Sequence, residues 1–268
     1  MAAHEQYTHG HHESVLRSHT WRTAENSAAY LLPRLSAGMS LLDVGAGPGT
    51  ITVDLARRLA PGRVVGLDAA GEIVDQANAL ARDQGVDTVE FVTGDAHHLP
   101  FDDDTFDVVH AHQVLQHLAD PVDALREFRR VVKPGGIVAA RDVDYGATVF
   151  SPELPGLVAW LDLYHEVARS NAGDPDAGRS LKAWALAAGF DDVQTTASTW
   201  CFASDAERDW WGNSWADRVI ESAFGARALE IGAATRFELE AIRSAWLEWV
   251  DAPSGVFAFP HFEIIARG

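Results

Sequence analysis

The sequence predicts an α/β domain: a doubly wound sheet of seven strands with helical lid insertions. Short apolar runs alternate with amphipathic helical stretches through the first half of the chain. The runs are nearly continuous rather than alternating, which is the pattern of parallel strands covered on both faces. The first run, MSLLDV, also opens directly into a glycine-rich turn, GAGPGT at 45–50, with a helical pattern after it.

Taken in order, residues 23–36 carry Ala28, Ala29, Leu31, Leu32 and Leu35 at helical spacing, and Arg22 and Glu25 are expected to pair across a turn. Strands are expected at 40–44, 63–68, 89–95, 106–113 and 137–144. Helices are expected between them, at 50–59, at 72–85 ending on Gly85, and in PVDALREFRRVV, closed by Lys133-Pro134-Gly135-Gly136. The second half predicts helices at 152–170 and 179–188, a stop at Gly189 and a sixth strand at 193–202. Residues 205–250 read as helical and tryptophan-rich, with Trp210, Trp211, Trp215, Trp246 and Trp249; the spacings of Trp211 with Trp215 and of Trp246 with Trp249 suit a core more than a pocket. The alternation in VFAFPHFEIIARG, 256–268, reads as the last strand, and Cys201 as a buried strand residue. The domain reading is an N-terminal helical arm or lid over 1–39 and a single ligand-binding domain over 40–268. Helical insertions at about 146–178 and 204–250 fold back as a cap over the carboxyl ends of the strands, where such sheets bind ligands.

Composition narrows the partners. The chain has 268 residues, 21 basic against 39 acidic, and a net charge of −18. A surface that acidic repels phosphate backbones and anionic headgroups, so neither nucleic acid nor membrane is expected. There is no signal-peptide core and no run of membrane-spanning length, so a cytoplasmic protein is the expectation. The single cysteine excludes an internal disulfide and a cysteine metal cluster. No H-E-x-x-H spacing appears, and no metal is expected. His4, His9, His11, His12 and His19 are interspersed with other residues and read as native sequence rather than a tag. A homodimer is the default for a soluble enzyme.

Three glycines, Gly45, Gly47 and Gly49, crowd one turn, and close approach of backbone to a ligand is the leading reason. The spacing departs from the G-x-G-x-x-G of dinucleotide sites, since position 50 is Thr and Pro48 intervenes. Asp68 ends the second strand, where a carboxylate can accept from both hydroxyls of a ribose. Asp95 ends the third, where it can accept from an adenine amino group beside the backbone of Ala96 or His97. Together these describe a nucleoside carrying a small polar tail and no phosphates.

With that order and spacing, LLDVGAGPGT, VVGLD, GDAHHLPF, FDVVHAHQVLQHLADP and RVVKPGG resemble class I S-adenosylmethionine-dependent methyltransferases, in particular small-molecule enzymes of the ubiquinone/menaquinone-biosynthesis type. The resemblance is strong over about 40–145 and looser over 179–202 and the last strand. It implies a Rossmann-like seven-stranded sheet whose last strand is antiparallel, and S-adenosylmethionine as cofactor. It further implies that Gly45, Ala46, Gly47 and Gly49 line the methionine part and that Asp43 holds the loop or reaches the amino group through water. Asp68 and Ala69 would bind the ribose, Asp95, Ala96 and His97 frame the adenine, and His112 and Gln113 offer backbone carbonyls to the ammonium. Where related enzymes follow the ribose carboxylate with Ser or Thr and a bulky residue, this chain has Ala69, Ala70 and Gly71.

Methyl transfer depends mainly on positioning, with a base required only when the nucleophile must lose a proton. Related enzymes often carry histidine where His117 stands, so it reads either as a general base or as a residue that packs the loop before Pro121. Tyr7, His11, His12, His19 and Trp21 belong to a segment that closes over the cofactor in similar enzymes and is otherwise a solvated arm. Arg141 could meet an acidic substrate or pair structurally. The reading is methyl transfer to O, N or C of an aromatic or polyketide-like small molecule. The alternatives are a regulatory or non-methylating protein on the same fold and, further off, a nicotinamide-dependent oxidoreductase.

Overall fold

A computed structural model describes residues 21–267. Its sheet contains β1 (Leu41–Val44), β2 (Val64–Asp68), β3 (Val89–Thr93), β4 (Phe106–His112), β5 (Val132–Val143), β6 (Val149–Ser151), β7 (Val193–Phe202) and β8 (Val256–Arg267). The central order is β3-β2-β1-β4-β5-β8, with the first five strands parallel. β8 runs antiparallel to β5 on one edge and to β7 on the other. The expected antiparallel last strand is therefore present. The eighth strand is the addition. β6 pairs with Val256–Ala258 on the edge of β8 that β5 leaves at His261. Three residues show no periodicity, and β6 lies inside a stretch that reads as a helical insertion.

Helices α1 (Ala24–Ser27), α2 (Thr50–Leu59), α3 (Gly71–Asp83), α4 (Pro121–Val131), α5 (Pro155–Ser170), α6 (Ala177–Ala187), α7 (Asp205–Glu221), α8 (Ala223–Glu230) and α9 (Arg236–Asp251) complete the described residues. The expected helix over 23–36 is not continuous. The Thr23 and Asn26 side chains form a capping box that starts α1, which stops at Ala28, and a 3-10 turn follows at Leu32–Arg34. Pro33 has no N–H to extend an α-helical ladder. α4 shows the local logic plainly: Asp120 caps it, Pro121 occupies the first turn, and Ala124, Leu125, Phe128 and Val131 form its buried stripe.

The continuous apolar strands follow from two covered faces. Leu42, Val65, Val109 and Val138 pack on one side with Leu125, Phe128, Leu181 and Ala185 of α4 and α6. Their neighbours Leu41, Val64, Val108 and Ala139 pack on the other with Ile51, Leu55 and Leu59 of α2. A third core lies between the ends of β7 and β8 and helices α5, α7, α8 and α9, and it is strongly aromatic. Trp215, Trp246 and Trp249 are fully buried there, as their spacing suggests, and so is Trp160. Trp160 meets Trp215 and Trp246 edge-on with centroids 4.6 and 5.0 Å apart. Cys201 differs from expectation. It lies on β7 but is exposed, because Trp200 and Phe202 take the inward face of that edge strand.

Candidate functional site

One cavity of about 590 Å³ opens at the carboxyl ends of β1, β2 and β4, bounded on its far side by residues of α7 and β8. Its loop end is built largely from main chain. Gly45 and Gly47 have φ of +69° and +55°, backbone that side chains rarely adopt. A Cβ on Gly45 would also lie 2.3 Å from Val114 Cγ2. The Gly47 N–H donates to Asp68 Oδ2 at 2.9 Å, and the Ala70 N–H donates to Asp68 Oδ1 at 3.1 Å. The end of β2 thus ties the glycine loop to the turn into α3. Asp43 lines the cavity but is buried, accepting from Thr52 Oγ1 at 2.6 Å and from His110 Nδ1 at 2.7 Å. That network pins β1, α2 and β4 together beneath the loop.

Asp95 accepts from the His97 N–H at 2.9 Å, which together with the His97 and His98 rings holds its carboxyl below the usual range. The His97 ring spans from Asp95 to the Asp120 carbonyl at 3.1 Å and does not line the cavity. Gly49 does not line it either. With φ of +87° it begins α2 in contact with α3 and β3, where an added Cβ would lie 2.7 Å from Phe91 and 3.0 Å from Ala77. Its role in the structure is packing.

The opposite end is made of side chains. Trp21, Trp200, Trp210, Trp211, Tyr145 and Phe259 form an aromatic wall. Trp21 stands edge-on to Trp200 at 5.1 Å and lies against Trp210 at 5.5 Å. Arg22 reaches Gln113 Oε1 at 2.7 Å rather than Glu25, which pairs with Arg58. Gln113 sits at φ +54° and donates to His261 Nε2 at 2.7 Å. His112 lines the cavity at 5% exposure, and neither ring nitrogen has a hydrogen-bond partner among the described residues. Burial, then Arg141 and Arg22, hold its pKa well below the usual imidazole value. His117 ends a 3-10 turn at the cavity wall, and burial with the nearby Arg22 charge pushes its pKa down to about 3. It is therefore neutral across the physiological range.

A methyltransferase-domain family matches residues 35–200. An uncharacterized methyltransferase of Schizosaccharomyces pombe is 34% identical over 97% of this chain and 96% of its own. The chain belongs to the class I S-adenosylmethionine-dependent methyltransferases. The probable methyltransferase ltbC of Aspergillus luteorubrus is 30% identical over 97% of this methyltransferase and 96% of its own length. The solved YcgJ protein of Bacillus subtilis shares the fold, with a TM-score of 0.58 and 22% identity over 91% of this chain and 99% of the other.

The cofactor of this methyltransferase is S-adenosylmethionine, and the residues present suit it. The cavity volume falls within the roughly 300–1,000 Å³ usual for small-molecule sites. Its loop end combines side-chain-free backbone at Gly45 and Gly47 with the carboxylates of Asp68 and Asp95 and the apolar Leu67, Ile73 and Leu118. Among the described residues no group of three or more His, Cys, Asp or Glu side chains could hold a metal. No described helix is long and apolar enough to cross a membrane.

Of the residues singled out from sequence, Asp43, Gly45, Ala46, Gly47, Asp68, Ala69, Asp95, Ala96, His112, Gln113, His117 and Trp21 line this one space. Tyr7, His11, His12 and His19 lie outside the described residues. Arg141 stands behind the wall rather than in it. It is 1% exposed, contacts Ser198 Oγ at 3.1 Å and Glu263 at 3.4 Å, and stacks 4.8 Å from the Trp200 centroid. Two of its three nitrogens are held by structural contacts with Ser198 and Glu263 rather than by a neighbouring aspartate. Sequence reasoning missed Arg22, Gln116, Tyr145, Trp200, Arg218 and Phe259 as cavity residues. No motif marks them.

Proposed function

We propose that the methyltransferase acts on a small molecule, a flat aromatic or quinone- or polyketide-like metabolite methylated at O, N or C. The observation that carries this is the continuity of one cavity from the glycine loop to the aromatic wall of Trp21, Trp200, Trp210, Trp211 and Phe259. Such a wall suits a flat apolar ring, and a volume of this size suits one small acceptor beside the cofactor.

In this reading Gly45, Ala46 and Gly47 hold the amino-acid tail, Asp68 with Ala69 the ribose, and Asp95 with Ala96 the adenine. The carbonyls of His112 and Gln113 face the ammonium, and Asp43 anchors the loop. When bound, the cofactor supplies a methyl group already activated on a sulfonium. The chain's own task is then alignment and exclusion of water. Trp21 and Arg22 from the N-terminal arm, with the helices that carry Trp210, Trp211 and Arg218, act as the cap. His117, neutral with a pKa of about 3, orients the acceptor by hydrogen bonding and takes no proton from it.

The first experiment is calorimetric titration with S-adenosylhomocysteine. Asp68→Ala is expected to weaken binding roughly 10- to 100-fold, the loss typical of hydrogen bonds to a charged group, and Asp68→Asn to lose less. Unchanged affinity in Asp68→Ala contradicts the ribose assignment. Product release with small aromatic hydroxyl compounds, and none with RNA or protein, is the expected acceptor result. The reverse pattern removes the small-molecule reading.

A further inference from the structure

The segment that follows β4 runs from the glycine loop to the cap. At one end Val114 packs on Gly45. At the other, Gln116 and His117 meet the connection between α5 and α6, where a Cβ on Gly173 would lie 2.7 Å from the Gln116 carbonyl oxygen and 3.7 Å from His117 Cα. Gln116 is held there through both its backbone and its side chain. Its N–H donates to Asp142 Oδ1 at 3.3 Å, and its carbonyl accepts from the Asp174 N–H at 2.8 Å. Its amide nitrogen lies 3.2 Å from His117 Nε2. An amide nitrogen can only donate, so that ring nitrogen accepts, as the neutral His117 ring can. The amide oxygen is left over. Gln116 lines the cavity at 5% exposure, and its Oε1 has no hydrogen-bond partner among the described residues.

His112, four positions earlier on the same segment, repeats the pattern. Its ring stacks on His261 with centroids 6.3 Å apart and lies 5.7 Å from that of Trp200. It lines the same cavity, and both its nitrogens lack a partner among the described residues. A buried polar atom left unmet is costly, and a ligand group that meets it offsets the cost. The two side chains ask for different things. An amide oxygen only accepts, so Gln116 requires a donor, and an ionised oxygen there would set lone pair against lone pair. A neutral imidazole donates from one nitrogen and accepts at the other, so His112 suits a hydroxyl or a carbonyl equally well. Because Gln116 is already restrained, little of its freedom remains to be lost when a ligand binds.

We propose that Gln116 selects the methyl acceptor: an un-ionised hydroxyl or aryl N–H of the acceptor donates to its Oε1, and a second polar group of the same molecule meets the His112 ring. This rests on the reading of the cavity as the site of methyl transfer to a small molecule, and it narrows that reading to aromatic acceptors with a neutral donor, against ethers, hydrocarbons and anions. Sites built to hydrogen-bond a substrate O–H or N–H reject analogues that lack it far more strongly than apolar pockets reject a missing methylene, because the protein's own buried group is then left unpaired. The aromatic wall accommodates many flat rings. Gln116 decides among them.

The test uses the whole protein with S-adenosylhomocysteine and four probes on one ring system at pH 6. Two carry a donor, 7-hydroxycoumarin and 7-aminocoumarin, and two do not, coumarin and 7-methoxycoumarin. All four keep the ring carbonyl for His112. Binding is read by calorimetry. Both donor probes are expected to bind roughly tenfold or more tightly than both others, as for a site whose buried acceptor goes unmet without them. Coumarin is smaller than the donor probes and 7-methoxycoumarin larger, so weak binding of both separates hydrogen bonding from fit. Gln116→Met keeps the length of the side chain without its amide. It should abolish the preference while changing coumarin affinity by no more than about twofold, and Gln116→Glu, which keeps an accepting oxygen, should retain most of it. A residue that only supported the fold would weaken all four probes alike. Equal affinities of donor and non-donor probes for the unaltered protein overturn the inference, and that comparison needs no variant to fold. A preference that survives Gln116→Met overturns it as well, as does failure of both donor probes to bind. Titration with S-adenosylhomocysteine alone keeps such a failure separate from the methyl-transfer reading. A protein that selects 7-hydroxycoumarin through Gln116 yet ignores S-adenosylhomocysteine upholds the donor subsite and overturns only the assignment of the cavity to methyl transfer.

Discussion

The loop end of the cavity is made of backbone and short-range contacts, whereas the aromatic end is made of side chains from segments far apart in the chain. At the loop end, Gly45 to Gly47 are consecutive and Asp68 ends the strand beside them, bonding directly to the Gly47 N–H. At the aromatic end, Arg22 meets Gln113 from 91 positions away, and the wall draws on residues from Trp21 to Phe259. The first arrangement depends on the conformation of one turn. The second depends on how helices α5, α7, α8 and α9 pack, and therefore on the aromatic core beneath them. The two ends should respond separately to perturbation.

The largest expected effect comes from removing that core's central ring. Trp160→Ala should cost about 3–5 kcal/mol of stability, the usual range for a buried Trp. In denaturant titrations with and without ligand, affinity for an aromatic acceptor should fall much further than affinity for S-adenosylhomocysteine. Equal losses would mean that the two ends form one unit.

Asp142 gives a sharper comparison through pH. Its side chain is fully buried beneath the wall, accepts from the Gln116 N–H at 3.3 Å, and burial pushes its pKa up to about 8. A raised carboxyl pKa means that the folded state keeps a proton the unfolded state releases. The associated stability is complete below the unfolded pKa of about 3.9 and falls as pH rises to about 8. Asp142→Asn should therefore stabilise the protein by a few kcal/mol at pH 8, on the order set by that shift, and by much less at pH 4. Melting curves across this window check it, and a constant difference between the two proteins would contradict the assignment.

The smallest effect is expected at Gly49→Ala. Strain at φ +87° and contact with Phe91 should cost about 1–3 kcal/mol. Cofactor affinity measured on the folded fraction should fall only modestly, because Gly49 packs α2 rather than facing the cavity. A loss as large as that expected for Asp68→Ala would return Gly49 to the ligand-contacting set.

The two ends were unequally legible. Asp68, Asp95 and the glycines announce themselves because their chemistry lies at strand ends and the strands are plain in the apolar pattern. Arg22 resembles the first member of an i, i+3 pair with Glu25, and only the placement of Gln113 turns it inward. Arg218 reads as one charge on a tryptophan-rich helix, and Arg141, equally suggestive in sequence, is held behind the wall by Glu263. His110 gives no signal either, since its importance is its bond to Asp43 across a parallel strand pair. β6 is too short for any period to show.

The sequence by itself determined the doubly wound sheet, the glycine turn, the carboxylates that suit a nucleoside and the family to which the chain belongs. These depend on periodicity and on chemistry within a few residues of a strand end, where backbone geometry leaves little choice. Only the tertiary structure decided which tryptophans are core and which form a wall, which arginines face the cavity, and which histidine ring lines it. Those outcomes depend on helix packing that brings distant segments together, and no local pattern encodes the direction in which a side chain points once they meet.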